Sequence, residues 1–151
     1  MQRVNFMELE IILAAPQDAQ DIEKIEKECF SKPWTKENII ESLENSTVFF
    51  VAKLKGETVG YCGMQNASGD GYITNVAVTK TARGKGVATR LLEALFDFAK
   101  TNELNFISLE VRKSNSTAIC LYNKMGFTSV GTRKNFYSDP REDAIIMTKY
   151  F

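Results

Sequence analysis

Two side chains that could move protons lie in the second half of this sequence. Glu110 is flanked by Leu109 and Val111 near the end of a predicted strand. Partial burial there would raise the pKa of its carboxyl and make it a better general base near neutral pH. Tyr122 lies on the apolar stripe of a predicted helix, where its phenol could act as a general acid. Each has a structural alternative: an ion pair of Glu110 with Arg112 or another basic group, and an ordinary core position for Tyr122.

A basic loop containing Gly84 and Gly86 is the third chemical feature. Within Ile73–Leu92, this loop joins a β-type apolar run to a helical pattern. The unpaired N–H groups and the dipole of a helix N-terminus favour an anion, and glycines let a phosphate approach the backbone. Further positive charge comes from Lys80, Arg83, Lys85 and Arg90. The alternative is an ordinary strand-to-helix connection with a solvated basic loop.

The loop matches neither of two well-known phosphate motifs. A Walker A loop is absent, and Thr89 stands where the dinucleotide fingerprint requires glycine or alanine. Arg83–Ala88 fits the pattern [RQ]-x-x-G-x-[GA] instead. That hexapeptide is weakly specific alone, but its position between a strand and a long amphipathic helix makes it more informative.

Composition excludes several classes of function. Lys plus Arg and Asp plus Glu each number 19, so no global basic field favours nucleic acid or a membrane. The absence of histidine excludes Ser-His-Asp and Cys-His catalysis and metal sites that contain histidine. Three scattered cysteines, Cys29, Cys62 and Cys120, argue against a zinc site and for reduced thiols in a cytoplasmic protein.

The length of 151 residues suits a single domain, residues 1–151. Residues 1–7 could be a short extension, because Met7 is an alternative start. No stretch approaches the roughly 20 apolar residues of a membrane span. We therefore expect no membrane segment, no bound metal and no direct contact with nucleic acid.

Hydrophobic periodicity predicts a mixed α/β sheet of about seven strands with four helices. The predicted strands are Leu9–Ala15, Ser46–Leu54, Thr58–Asn66, Tyr72–Val78, Asn105–Val111, Phe127–Thr132 and Ala144–Tyr150. The helices run from Pro16 to about Phe30, from Thr35 to about Glu44, from Gly84 or Lys85 to Asn102, and from Ser114 or Asn115 to Gly126. Thr35 and Ser114 or Asn115 are the predicted N-caps, and Gly126 is a glycine stop. Capping is thus the structural alternative to any ligand contact of Asn115.

Two details of this prediction concern the surroundings of the candidate residues. The first helix has an apolar stripe of Ala19, Ile22, Ile25 and Cys29, with its acids and lysines on the other face. Gly69–Gly71 is a predicted turn, and Arg133–Asp143 a polar loop. The strand–helix–strand order around the basic loop predicts that Tyr72–Val78 is parallel to Asn105–Val111.

These features together resemble the GNAT superfamily of acyl-CoA-dependent N-acetyltransferases, over about Leu9 to Tyr150. More narrowly, the chain is similar to the RimI-type branch of ribosomal-protein-alanine N-acetyltransferases. The motifs that carry this resemblance are Cys29-Phe30, Pro33-Trp34-Thr35, Thr74–Val78, Arg83–Ala88, Ser108–Arg112, Ser114–Ala118, Leu121-Tyr122, Gly126-Phe127, Arg133–Tyr137 and Glu142–Met147. The sequence departs from the pattern of this branch in small ways. Arg83 stands where a glutamine is common in the branch, and Phe136 stands where a tyrosine is common.

The resemblance implies a GNAT fold in which two parallel central strands splay apart around acetyl-CoA. The implied cofactor-binding residues are Val76, Ala77, Val78, Arg83, Gly84, Lys85, Gly86, Val87, Ala88 and Asn115. Glu110 would be the general base and Tyr122 the general acid. Phe30, Trp34 and Tyr137 would contact the acceptor, which the resemblance makes the N-terminus of a ribosomal small-subunit protein. A cytoplasmic monomer is expected.

Two other functions remain open from the sequence. The first is a related acetyltransferase that acts on lysine or on a small-molecule amine. The second is a non-catalytic acyl-CoA-binding module, which the presence of both Glu110 and Tyr122 disfavours.

Overall fold

A computed structural model describes residues 8–151, so the alternative start at Met7 lies outside the described residues. The strands are β1 (Leu9–Leu13), β2 (Thr47–Leu54), β3 (Glu57–Ala67), β4 (Asp70–Val78), β5 (Phe106–Arg112), β6 (Thr128–Ser138) and β7 (Arg141–Tyr150). The helices are α1 (Ala19–Cys29), α2 (Lys36–Glu44), α3 (Val87–Thr101) and α4 (Ser116–Lys124). The strands form one seven-stranded sheet in the order β1-β2-β3-β4-β5-β7-β6. The predicted mixed α/β class, with seven strands and four helices, is thus confirmed.

The central strands β4 and β5 run parallel and separate soon after they meet. Their register pairs only Gly71 with Ile107 and Tyr72 with Ser108. A β-bulge lies just beyond this point, because Thr74 has no partner on β3. Bulges bend a strand and increase its local twist. The predicted splay between the two strands is therefore confirmed, and it opens toward their C-terminal ends.

Both faces of the sheet are covered by helices. Along β2, Phe49 and Val51 pack into one core, whereas Phe50 and Ala52 contact the other. This alternation is the period of two expected for side chains on a strand. Helices α1 and α2 cover the first face, and α3 covers the second. Of the two strands that separate, β4 is contacted by α1 on one face and by α3 on the other.

Side-chain caps fix the starts of two helices near the splay. Thr35 Oγ1 accepts a hydrogen bond from the backbone N–H of Asn38 at 3.1 Å, at the N-terminus of α2. Asn115 Oδ1 accepts one from the backbone N–H of Ala118 at 3.1 Å, at the N-terminus of α4. Gly126 follows the end of α4 with a φ of 96°, as in a glycine stop. All three were predicted from the sequence.

Helix α3 begins at Val87, slightly later than predicted. Gly84 and Gly86 have φ values of 74° and 84°, in the left-handed region that glycine adopts without strain. Neither residue can therefore continue a right-handed helix. The loop before α3 owes its shape to these two glycines, and α3 starts only after the second one.

The prediction of a polar loop at Arg133–Asp143 was wrong. Strand β6 continues to Ser138 and β7 starts at Arg141, so this segment is the outer part of a β-hairpin. A register shift between Arg133 and Tyr137 interrupts the alternation of side chains. The outer part of β6 also has no buried face, because its residues are exposed except for the half-buried Tyr137. The predicted turn at Gly69–Gly71 is likewise shifted, since β4 already starts at Asp70.

Three further observations concern residues 8–151. No helix in that range is long and apolar enough to cross a bilayer. No three Cys, Asp or Glu side chains there are placed to share a metal ion. The cysteines Cys29, Cys62 and Cys120 are free thiols, and burial raises the pKa of Cys62 to about 12.

Candidate functional site

The splay between β4 and β5 opens into two cavities that share a wall. Each has a volume of about 630 Å³. The loop-side cavity borders the segment Arg83–Ala88, and the hairpin-side cavity borders the β6–β7 hairpin at Phe136–Asp139. Six residues line both cavities: Cys29, Phe30, Val76, Asn115, Ala118 and Tyr122. The two spaces therefore meet at the point where the parallel strands diverge.

The loop-side cavity gathers nearly all the predicted cofactor-binding residues. It is lined by Val76, Ala77 and Val78 of β4, by Arg83, Gly84, Gly86, Val87 and Ala88 of the loop, and by Asn115. Lys85 is the exception, because it does not line the cavity. The N-terminus of α3 faces this space, where its first N–H groups lack helical partners. Such a wall suits an anion held by the backbone.

Arg83 is an exposed residue whose side chain is bonded to two other parts of the protein. Its Nε donates to the carbonyl of Val78 at 2.9 Å, and its Nη2 donates to Cys29 Sγ at 3.4 Å. These contacts tie the loop to the C-terminal end of β4. The Arg83 side chain therefore shapes the wall between the loop and the splayed strand.

The hairpin-side cavity gathers the predicted proton-transfer and acceptor residues. Glu110, Tyr122, Phe30, Trp34 and Tyr137 all line it. They come from four separate parts of the chain, namely the segment between α1 and α2, β5, α4 and the β6–β7 hairpin. The fold thus brings together five residues that are up to 107 positions apart, from Phe30 to Tyr137.

Glu110 is more exposed than the partial burial that we predicted. Its side chain keeps 33% of its surface exposed and is paired with Arg133, whose Nε lies 3.2 Å from Glu110 Oε1. The cation is not Arg112, because that side chain is directed toward the hairpin tip. Any base that Glu110 provides therefore acts from a partly solvated ion pair and not from a buried carboxyl.

Tyr122 lies where the two cavities meet and packs edge-on against Phe127, with ring centroids 5.6 Å apart. Burial raises the pKa of Tyr122 to about 12, and the neighbouring Tyr137 and Cys62 add smaller contributions in the same direction. The phenol therefore stays protonated at neutral pH. Tyr122 thus packs against the core through its ring and also lines the cavities, so the core position and a place in the site do not exclude each other.

Asn115 combines its structural position with access to both cavities. Its Oδ1 caps α4 by accepting from the N–H of Ala118, as the structural alternative required. Its residue also lines the loop-side and hairpin-side cavities. The cap uses the oxygen only, so the amide nitrogen of Asn115 retains donors for a ligand.

Arg112 anchors the hairpin over its cavity, a function that the sequence did not suggest. Its guanidinium donates to the carbonyls of Asp139 at 3.1 Å and Pro140 at 2.9 Å, and to Glu142 Oε1 at 3.2 Å. The same group lies 4.2 Å from the ring centroid of Tyr137. One side chain at the end of β5 thus fixes both the hairpin tip and an acceptor-side aromatic ring.

Glu26 is a second carboxyl at the hairpin-side cavity, and its position corrects our prediction for α1. We placed the acids of this helix on the exposed face, but Glu26 is only 1% exposed. It follows Ala19 by seven residues, close to two helical turns, so the two share the inner face. Burial raises the pKa of Glu26. The helical spacing was visible in the sequence and could have located this residue.

A small polar network surrounds Glu26. Its Oε1 accepts hydrogen bonds from the backbone N–H of Trp34 at 3.3 Å and from Asn75 Nδ2 at 3.2 Å. Asn75 Nδ2 also donates to the hydroxyl of Tyr61 at 2.9 Å. Glu26 therefore links the Phe30–Trp34 segment to the part of β4 that enters the splay.

Comparison with known proteins gives consistent matches. The family model described as the acetyltransferase (GNAT) family matches residues 19–127. A Bacillus subtilis protein provisionally named a ribosomal protein bS18-alanine N-acetyltransferase is 38% identical over 133 residues, which cover 87% of this chain and 88% of that protein. The ribosomal protein bS18-alanine N-acetyltransferase of Escherichia coli K12 is 31% identical over 125 residues, or 82% of this chain and 84% of that one.

The fold matches solved structures as well. The crystal structure of the ribosomal-protein-S18-alanine N-acetyltransferase from Escherichia coli superposes with a TM-score of 0.87. The superposition covers 94% of this chain and 93% of that one, at 28% sequence identity. The similarity therefore extends over the sheet, the splay and the helices that surround both cavities.

Proposed function

The chain belongs to the GNAT acetyltransferase family, and we propose that it transfers the acetyl group of acetyl-CoA to the N-terminal α-amine of a protein. The acceptor is the N-terminal alanine of a ribosomal small-subunit protein, in line with the names of its relatives from B. subtilis and E. coli. One observation carries the proposal: a cavity at a helix N-terminus meets a second cavity that contains Glu110 and Tyr122.

Acetyl-CoA binds in the loop-side cavity. Its pyrophosphate lies at the N-terminus of α3, where the Arg83–Ala88 loop presents backbone N–H groups. The backbone of Val76, Ala77 and Val78 holds the pantetheine arm and the acetyl group, and Asn115 contacts the arm. The lining of this cavity supports each assignment except that of Lys85, which we leave out because it lies off the wall.

The acceptor enters through the hairpin-side cavity between Phe30 and Trp34 on one side and Tyr137 on the other. A protein α-amine has a pKa of about 7.7–8.0, so a carboxylate can remove one proton near neutral pH. Glu110 takes this proton, directly or through a water, as Arg133 moves aside.

The deprotonated amine then attacks the thioester carbonyl, so that a C–N bond forms and the C–S bond breaks. A backbone N–H near Val76 stabilises the oxyanion that develops on the carbonyl oxygen. Tyr122 donates its proton to the departing thiolate, which leaves as the CoA thiol. The second proton of the attacking nitrogen returns through solvent to the Tyr122 phenolate, so that a neutral amide and the acid form of Tyr122 remain. The enzyme works as a single-domain monomer in the cytoplasm, without direct contact to nucleic acid.

The test is incubation with acetyl-CoA and peptides that begin with Ala, Ser or Met, next to free lysine as a small-molecule acceptor. We expect the mass of one acetyl group to be added to the Ala peptide at the highest kcat/KM. A lysine ε-amine, with a pKa of about 10.4, demands more of the base. Turnover of free lysine in preference to every peptide would overturn the proposal.

A further inference from the structure

Three buried side-chain oxygens among residues 8–151 have no hydrogen-bond partner: Glu26 Oε2, Thr74 Oγ1 and Thr79 Oγ1. Two of these three residues, Glu26 and Thr74, line the hairpin-side cavity. Buried polar groups are normally paired, because an unpaired one loses its hydrogen bonds to water without replacement. A polar group that binds in this cavity can therefore form hydrogen bonds with these oxygens.

The carboxylate of Glu26 has acceptor capacity to spare. Trp34 and Asn75 both donate to Oε1, and a hydrogen bond with the Tyr61 hydroxyl also stabilises the carboxylate. An ionised carboxylate offers about four lone-pair sites on its two oxygens. Rotation about the terminal torsion of a glutamate is soft, so the oxygens can adjust their directions at low cost. Glu26 can thus keep the contacts to both walls and accept a further donor.

The unpaired oxygens indicate the chemistry of the missing group. Both described hydrogen bonds to Glu26 come from N–H donors, so its carboxyl group acts as an acceptor there. A ligand that matches it as an acceptor offers N–H or O–H donors. A positive charge would also offset the cost of burying the carboxylate. The acidic groups of the cavity are Glu26, Glu110 and Asp139, and its cations are Lys32 and Arg112. Arg112 binds the hairpin tip, and among the described residues Lys32 forms no ion pair with Glu26, so Glu26 can bind a ligand cation.

We propose that Glu26 binds the α-ammonium group of the acceptor, through a hydrogen bond to its carboxylate, before Glu110 removes a proton. The inference rests on the proposed function and adds a second acidic contact for the same amine. Thr74, adjacent to the Asn75 that Glu26 holds, supplies a hydroxyl to the same ligand. Glu26 is an acceptor-binding residue in this account, and Glu110 remains the base.

The test is a cycle that combines a protein substitution with deletion of the ligand amine. Two peptides are compared, one that begins with alanine and one in which a propionyl group replaces the alanyl residue. Calorimetry gives their dissociation constants with saturating CoA present, for the wild type and for Glu26→Gln. Glutamine keeps an oxygen for Trp34 and Asn75 but presents an amide donor where the second oxygen was. Glu41→Gln, an exposed change of the same charge on α2, is the control.

We expect Glu26→Gln to weaken binding of the alanine peptide roughly tenfold to a hundredfold, the range for a hydrogen bond to a charged group. The des-amino peptide should bind both proteins equally, and Glu41→Gln should match the wild type. Equal losses for both peptides, or no loss for either, would overturn the assignment of Glu26.

Two controls separate this inference from the proposed function and from misfolding. A wild type that binds acetyl-CoA but does not acetylate the alanine peptide would refute the proposed function itself. If Glu26→Gln fails to bind acetyl-CoA, Glu26→Asp replaces it in the cycle, since it keeps the charge but withdraws the carboxylate. The same loss of coupling is then expected, and preserved coupling would overturn the inference.

Discussion

Removal of the Arg112 side chain should impair acceptor binding while leaving the cofactor site intact. The guanidinium makes three hydrogen bonds, to Asp139, Pro140 and Glu142, and lies over the ring of Tyr137. A hydrogen bond to a charged group contributes about 1.5–3 kcal/mol. The Arg112 side chain is 30% exposed, so we reduce the total for the cluster to about 2 kcal/mol.

If this energy holds the hairpin tip and Tyr137 in place at the hairpin-side cavity, Arg112→Ala should raise the peptide KM by up to about thirtyfold. This factor follows from about 1.4 kcal/mol per factor of ten. The acetyl-CoA dissociation constant should stay within about twofold, because no Arg112 contact reaches the loop-side cavity. Steady-state acetylation of an alanine-starting peptide gives KM and kcat, and calorimetry gives the acetyl-CoA affinity.

Two matched variants sharpen this experiment. Arg112→Lys keeps the charge but loses the planar fork, so most of the effect on KM should remain. Arg141→Ala makes the same charge change at an exposed position of the hairpin and should behave like the wild type. If Arg112→Ala has the peptide KM of the wild type, Arg112 does not hold the hairpin tip and Tyr137 in place for acceptor binding.

The other predictions concern the reaction and the cofactor loop. Glu110→Gln should lower kcat/KM by about 10²–10⁴, the usual range for a positioned base, with little change in acetyl-CoA affinity; wild-type turnover would remove Glu110 from that role. Tyr122→Phe should lower kcat about a hundredfold. The pKa of Tyr122 is raised to about 12, so its acid form persists below that pH. The kcat of the wild type should therefore show no loss from this group up to about pH 10. A fall in kcat below about pH 10 that Tyr122→Phe abolishes would contradict this prediction. Gly86→Glu should weaken CoA binding at least about tenfold in calorimetry, since it places bulk and negative charge at the N-terminus of α3; unchanged affinity would exclude the loop as the pyrophosphate site.

Local chemistry in the sequence was sufficient to predict the elements that frame the cleft. Thr35 and Asn115 cap helices and Gly126 ends one, because such signals act within a few residues. The two glycines before α3 adopt left-handed φ angles, as a tight loop requires. These local signals, in order along the chain, were enough to predict the strand–loop–helix unit.

Features that depend on distant contacts could not be predicted in this way. The β6–β7 hairpin lacks a buried face near its tip and contains a register shift, so its residues gave no alternating pattern. Arg133 was assigned to a loop, and its pairing with Glu110 depends on two strands that do not adjoin in the sheet. The long-range position of a charged side chain is not encoded in its immediate neighbours.

The position of Glu26 was mispredicted for a different reason. Its spacing from Ala19 placed it on the inner face of α1, but its charge favoured the exposed face, and we followed the charge. The fold resolves this conflict by giving the carboxylate partners from two other segments, Trp34 and Asn75. A charged residue at an apolar position of a helix is therefore a useful sign of a functional site.

The most direct test of the central claim uses one peptide that begins with alanine and contains an internal lysine. After incubation with the wild-type enzyme and acetyl-CoA, fragmentation mass spectrometry locates the acetyl group. Acetylation of the α-amine with an unmodified lysine is the predicted result, since we propose that the hairpin-side cavity receives the chain terminus. Acetyl groups on the lysine with a free N-terminus would contradict the account.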